Sequence, residues 1–109
     1  MVKMMIFLTR RDDMTREAFA AWWLDAHRTL AERLPGLRRH TFNLLPDGSP
    51  FDAVVEQWFD TEAIALRAYD SPEGRAVAAD SLAHVRARLR LAAQEHVFTP
   101  IPVRAGLDG

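Results

Sequence analysis

Cysteine is absent from the 109 residues. That excludes disulfides, thiolate metal sites and thiol nucleophiles together, and it fits a reducing compartment. Charge imbalance is also missing: the formal net charge is −1, which argues against nucleic acid or an anionic membrane surface as the main partner. No long apolar run occurs either. A membrane span needs about 20 such residues. The opening MVKMMIFLTRR is too short in its apolar part for a signal peptide, and no small-residue cleavage pattern follows it. These absences predict a cytoplasmic protein with no membrane partner. Neither an internal repeat nor a low-complexity segment is present. The length suits one domain with a core of its own.

What is present alternates between two periodicities. Val2 to Thr9 is apolar and β-rich, and its alternation puts Val2, Met4, Ile6 and Leu8 under helices, with Lys3, Met5, Phe7 and Thr9 on the other face. Thr15 to Leu37 reads as one amphipathic helix. Phe19, Trp23, Ala26, Leu30 and Leu34 recur at spacings of three and four, Thr15 is placed to cap it, and Pro35-Gly36 is placed to stop it. Leu37 to Leu45 is a strand of mixed alternation, followed by the loop Pro46-Asp47-Gly48-Ser49-Pro50. Asp52 to Asp60 is a third strand, with Ala53, Val55 and Phe59 toward the helices and Val54, Glu56 and Trp58 away from them. A helix over Thr61 to Tyr69 restarts at Ser71-Pro72. Val77, Leu82, Val85 and Leu89 continue its pattern, with His84, Arg86, Arg88 and Arg90 as its solvated face. Glu95 to Thr99 is read as the fourth strand, and residues 100–109 as an extended arm after a domain spanning 1–99.

The order β-α-β-β-α-β predicts an α+β, ferredoxin-like fold: a four-stranded antiparallel sheet with its helices on one face. The other face would then expose Met5, Phe7, Val54 and Trp58, more apolar surface than a monomer usually leaves in water. A homodimer joined face to face, enclosing a cavity, is the expected solution.

The ordered set of motifs resembles a known family. Phe19-x-x-Trp22-Trp23-x-x-x-His27 and then Leu34-Pro35-Gly36-Leu37 resemble the first half of the EthD-type domain of the dimeric α+β barrel superfamily. The acidic residue followed by Trp58-Phe59, the restart Ser71-Pro72-x-Gly74, Asp80 and Glu95-His96-Val97 resemble its second half. The resemblance implies a dimeric barrel acting in small-molecule metabolism, but it transfers no particular reaction. Relatives in the wider superfamily isomerise lactones, cyclise polyketides, oxidise quinols without a cofactor or degrade haem. Two departures stand out. Arg28-Thr29 follows His27 where the family often has a small residue and proline, and the cysteine of related lactone isomerases has no counterpart.

Several side chains are candidates for chemistry. His27 titrates in the right range for acid–base work on an enolisable or phenolic compound. Its alternative role is to pin helix to sheet through a carboxylate or carbonyl. Glu56, beside Trp58, is either a carboxyl raised by apolar surroundings or the partner of Lys3 or an arginine. Asp80 either orients the His27 ring or is an ordinary surface charge. Phe7, Phe42 and Trp58 either wall a flat ligand or, the commoner role of such aromatics, form dimer core. Trp23 is a further candidate contact, and His40 and His96, on strands, face either the cavity or solvent. The four histidines show no close i, i+4 pair, so no metal site is expected. The leading expectation is a cofactor-independent isomerase, cyclase or oxidoreductase acting on an aromatic or polyketide-like compound. The alternatives are an accessory protein that carries a hydrophobic product or supports an oxygenase, and a haem-binding protein.

Overall fold

The computed structural model describes residues 1–98. Along the chain run β1 (Val2–Arg10), α1 (Arg16–Trp22), a π-helical stretch (Trp23–His27), α2 (Arg28–Ala31), β2 (Arg39–Leu44), β3 (Ala53–Phe59), α3 (Glu62–Asp70), α4 (Pro72–His84) and β4 (Val85–Gln94). The strands form one antiparallel sheet in the order β2-β3-β1-β4. The helices pack on one face of it, which is the ferredoxin-like arrangement. Alternation decides which face is which. Met4, Ile6 and Leu8 of β1 are buried, as are Ala53, Val55, Gln57 and Phe59 of β3. Phe19 and Trp23 cover one half of that surface, while Ala65, Ala68, Val77 and Leu34 cover the other. No helix among the described residues is long and apolar enough to cross a membrane.

The first helical region departs from the expected single helix. Phe19, Trp23, His27 and Ala31 are buried and Ala26 is exposed. Steps of four overrun an α-helical turn by about 40° each, so this spacing would carry a regular helix off the core. The π-helical stretch corrects the drift. The Arg28 N–H reaches back five residues to the Trp23 carbonyl, widening one turn. That wider turn brings His27 inward in place of Ala26. The helix ends at Ala31, and Gly36 takes a positive φ of 82° further on.

The C-terminal half corrects two further expectations. The helix does not continue through Val85 and Leu89, and Glu95 to Phe98 is not a strand. Instead β4 pairs with β1 from Val2↔Gln94 to Arg10↔Val85. Two apolar residues four apart satisfy both helix and strand periods. The deciding signal is the unbroken alternation of Ala87, Leu89, Leu91 and Ala93 with Arg86, Arg88 and Arg90. The arm expected at residues 100–109 lies outside the described residues.

The corner between α3 and α4 is tight. Ser71 caps α4 through the Gly74 N–H at 3.1 Å, with Pro72 at the first helical position. A Cβ on Gly74 would lie 2.5 Å from Tyr69 Cα and would also strike the Ala68 carbonyl oxygen. Gly74→Ala is therefore expected to cost about 1–3 kcal/mol, read as a lower urea midpoint. An unchanged midpoint would show that the corner opens freely.

Candidate active site

The π-helical stretch and α4 meet around one carboxylate. Asp80 Oδ2 accepts from the His27 ring at Nδ1 (2.9 Å) and from the Trp22 indole N–H (3.0 Å). A carboxylate only accepts, so His27 carries its proton on Nδ1 and leaves Nε2 as a lone-pair site. Burial lowers the His27 pKa from its ordinary value, against the opposing pull of Asp80. The ring is thus held neutral, the form that can take a proton. His84 stacks on Trp22 with centroids 4.0 Å apart, and its Nδ1 donates to the Asp80 carbonyl at 2.7 Å. The Asp80 backbone and side chain are both fixed.

His27 borders a small space between helices and sheet that Phe42, Gln57, Tyr69, Ser81 and Arg88 also line. Its volume is about 10 Å³, room for a single water at most. Tyr69 donates its hydroxyl proton to Gln57 Oε1. Burial raises the Tyr69 pKa to about 12, so the phenol keeps that proton and remains the donor.

A second polar group lies on the opposite face of the sheet. Lys3 bridges Glu56 (3.0 Å) and Glu95 (2.9 Å). Glu56 also accepts from Thr41 at 3.0 Å and from Asn43 at 3.2 Å. Trp58 donates to Glu95 at 2.7 Å. The Lys3 hydrogen bond is the main reason the Glu56 pKa lies below its ordinary value. Of the two readings of Glu56, the ion pair is the one observed, and the raised carboxyl is not.

The sequence candidates therefore separate. His27 and Asp80 are joined, and Phe42 lies on their side. Glu56, Phe7 and Trp58 lie across the sheet. The expected wall of Phe7, Phe42 and Trp58 does not form, because Phe42 pairs with Val55 while Trp58 pairs with Arg39, which puts them on opposite faces. Trp23 is fully buried and stacks on Phe42 at 4.5 Å, as core. His40 is half-buried near Glu32, at 3.8 Å. His96 is exposed beyond β4. The sequence does not single out Gln57, shows Trp22 only as part of the family motif, and casts Arg88 as a solvated charge. Parity alone places Gln57 between Val55 and Phe59 on the helix side, an unusual spot for an amide. Among the described residues no cluster of three or more His, Asp or Glu side chains is arranged to hold a metal ion.

The EthD domain model matches residues 11–85. The chain belongs to the EthD domain family. Solved structures carry the same fold. An EthD family protein from Bacillus halodurans superposes with a TM-score of 0.77 at 24% identity, over 88% of this chain and 99% of that one. A dimeric protein of unknown function with a ferredoxin-like fold from Bacteroides fragilis gives 0.70 at 16% identity, over 86% and 95%. SnoaB, a cofactor-independent oxygenase from Streptomyces nogalater, gives 0.69 at 17%, over 92% and 97%. No curated protein matches the sequence. The EthD match ends at Val85, so it takes in His27 and Asp80 but leaves out Arg88, which β4 brings to the same space.

The buried histidines give this EthD domain a pH signature. Burial lowers the pKa of both His27 and His40 below 6.5. The unfolded chain therefore takes up these protons first as pH falls. Their contribution to stability is complete above about pH 6.5 and is lost on acidification toward the folded-state values. Glu56, lowered from 4.5, contributes above that value and is lost only below it. The thermal midpoint should fall in two stages. His27→Gln should flatten the first stage and leave the second; an equally steep first stage would exclude His27 from it.

Proposed function

We propose that this EthD domain is a cofactor-independent acid–base enzyme acting on an aromatic or polyketide-like compound with an acidic C–H or O–H. The Asp80–His27 pair carries this reading: a neutral, buried imidazole with one nitrogen fixed by a carboxylate and no hydrogen bond to the other among the described residues. Nε2 would remove the proton, and Asp80 would stabilise the imidazolium that results. The same deprotonation opens isomerisation, cyclisation or oxidation of the anion. The fold shared with SnoaB, itself a cofactor-independent oxygenase, supports that range. The test is hydrogen–deuterium exchange at the carbon beside the carbonyl in a panel of aromatic ketones that includes α-tetralone, followed by NMR in D2O. Exchange above the buffer rate supports the reading. Exchange at the buffer rate across the panel overturns it.

The same reading includes a homodimer formed through the helix-free face. Met5, Phe7 and Val54 lie there beside Leu89 and Leu91, which are 46% and 49% exposed. Apolar residues on a sheet face of this kind call for a cover, and the Bacteroides fragilis protein of the same fold is dimeric. Leu91→Arg should shift sedimentation at micromolar concentration from dimer to monomer. A wild-type monomer under those conditions would exclude the assembly.

A further inference from the structure

The chain has three half-buried arginines among its described residues: Arg10, Arg16 and Arg88. Arg10 is bound to Asp52 and to the Met14 carbonyl, and Arg16 to the Leu45 carbonyl. Arg88 has neither an ion pair nor a hydrogen bond among the described residues. Its register opposite Leu8 turns it to the helix side, where it lines the same space as His27. A half-buried guanidinium without an acceptor is costly unless something supplies one.

Gln57 lines the same space from the central strand β3. The amide is 2% exposed, and the Tyr69 hydroxyl occupies its oxygen. That bond, with the hydroxyl donating, turns Oε1 toward Tyr69 and the NH2 away from it. The amide NH2 is left with no hydrogen bond among the described residues, on a residue that borders the space. The site therefore has one base, His27 Nε2, and two unused sets of N–H donors.

We infer that Arg88 and Gln57 form the oxygen-binding half of the site, holding the enolate or phenolate oxygen of a substrate that His27 deprotonates. This rests on the acid–base reading above and names what its substrate must carry: an ionisable oxygen, conjugated with or identical to the atom that loses the proton. For a ketone, the C–H proton passes to His27 Nε2 and its electron pair becomes the new C=C bond. The carbonyl π pair moves onto oxygen, against the guanidinium and the amide N–H. Where the substrate carries a further C=C bond beyond that carbon, the anion is a dienolate, and return of the proton to its far carbon completes an isomerisation with no oxidant consumed. Arg88 is also the side chain a ligand displaces on entry. A space of about 10 Å³ is far below the roughly 300 Å³ or more of a ligand pocket, and Arg88 is the long, half-exposed member of the lining, carried on an edge strand.

The probe is p-nitrophenol, whose phenolate band reports both binding and ionisation. Wild-type protein should bind it and shift its ionisation to lower pH. Arg88→Gln should weaken binding by at least about tenfold, the size of a lost charge-assisted hydrogen bond, and abolish the shift; Arg88→Lys should restore part of both. Circular dichroism confirms folding of each variant. Equal binding by wild type and Arg88→Gln, or no binding by wild type at millimolar probe, overturns the inference. Ketone exchange separates the two claims. Exchange that persists unchanged in Arg88→Gln leaves the base standing and removes the oxygen site. Arg88-dependent phenolate binding without exchange does the reverse.

Discussion

His27→Gln should reduce catalysed exchange by about 10²–10⁴-fold, the usual worth of a positioned general base, while the far-ultraviolet spectrum stays that of the wild type. Glutamine can still donate to Asp80, so the tie between the π-helical stretch and α4 survives and only the lone pair of Nε2 is removed. Asp80→Asn is the companion variant. An amide at Asp80 keeps the shape but supplies no charge for the imidazolium, and it can present its own N–H to Nδ1. The ring would then hold its proton on Nε2, the wrong nitrogen. The rate should fall here as well. Because Trp22 and His27 both donate to Asp80 Oδ2, an amide N–H in that place also leaves the Trp22 N–H without its acceptor, so some stability is lost with the rate. A histidine that only pins the helices would give a different pattern: both variants would lose stability and neither would change exchange. Full exchange in a folded His27→Gln protein would remove His27 from the chemistry.

The fold was legible in the sequence because most of its elements have one clear period. Alternation in Val2–Arg10 and Ala53–Phe59 assigns each residue to a face, and Thr15 and Ser71 both cap as their types suggest. It failed where one spacing serves two periods. Val85 and Leu89 fit a helix as well as a strand, and the edge of β1, a tertiary fact, chose the strand. That choice also hid part of the site. Read as helix, Arg88 is a surface charge; on β4 it lines the space that His27 borders. The π-helical stretch had the same effect on a smaller scale, since a regular helix would have buried Ala26. The Asp80–His27 contact joins residues 53 apart in sequence, and no local pattern could have fixed it. Glu56 was ambiguous for a related reason: whether a half-buried carboxylate pairs or protonates depends on the strand opposite, and β1 supplies Lys3.

Trp23→Ala should be the most damaging core substitution, at about 3–5 kcal/mol, a large share of the 5–15 kcal/mol by which a domain is stable. The residue is fully buried and is the hinge of the aromatic core, stacked on Phe19 at 5.9 Å and on Phe42 at 4.5 Å. It also opens the π-helical stretch that turns His27 inward, so the cavity left behind would loosen the site together with the fold. Trp23→Phe distinguishes packing from hydrogen bonding. The indole N–H is buried without a partner, a group that costs free energy where it stands. Phenylalanine removes that donor and keeps a ring between Phe19 and Phe42. Its loss in urea unfolding should therefore be less than half that of alanine, with exchange activity retained. An equal loss for both variants would mean that the indole N–H is satisfied in solution and that Trp23 is held by more than its stacked faces.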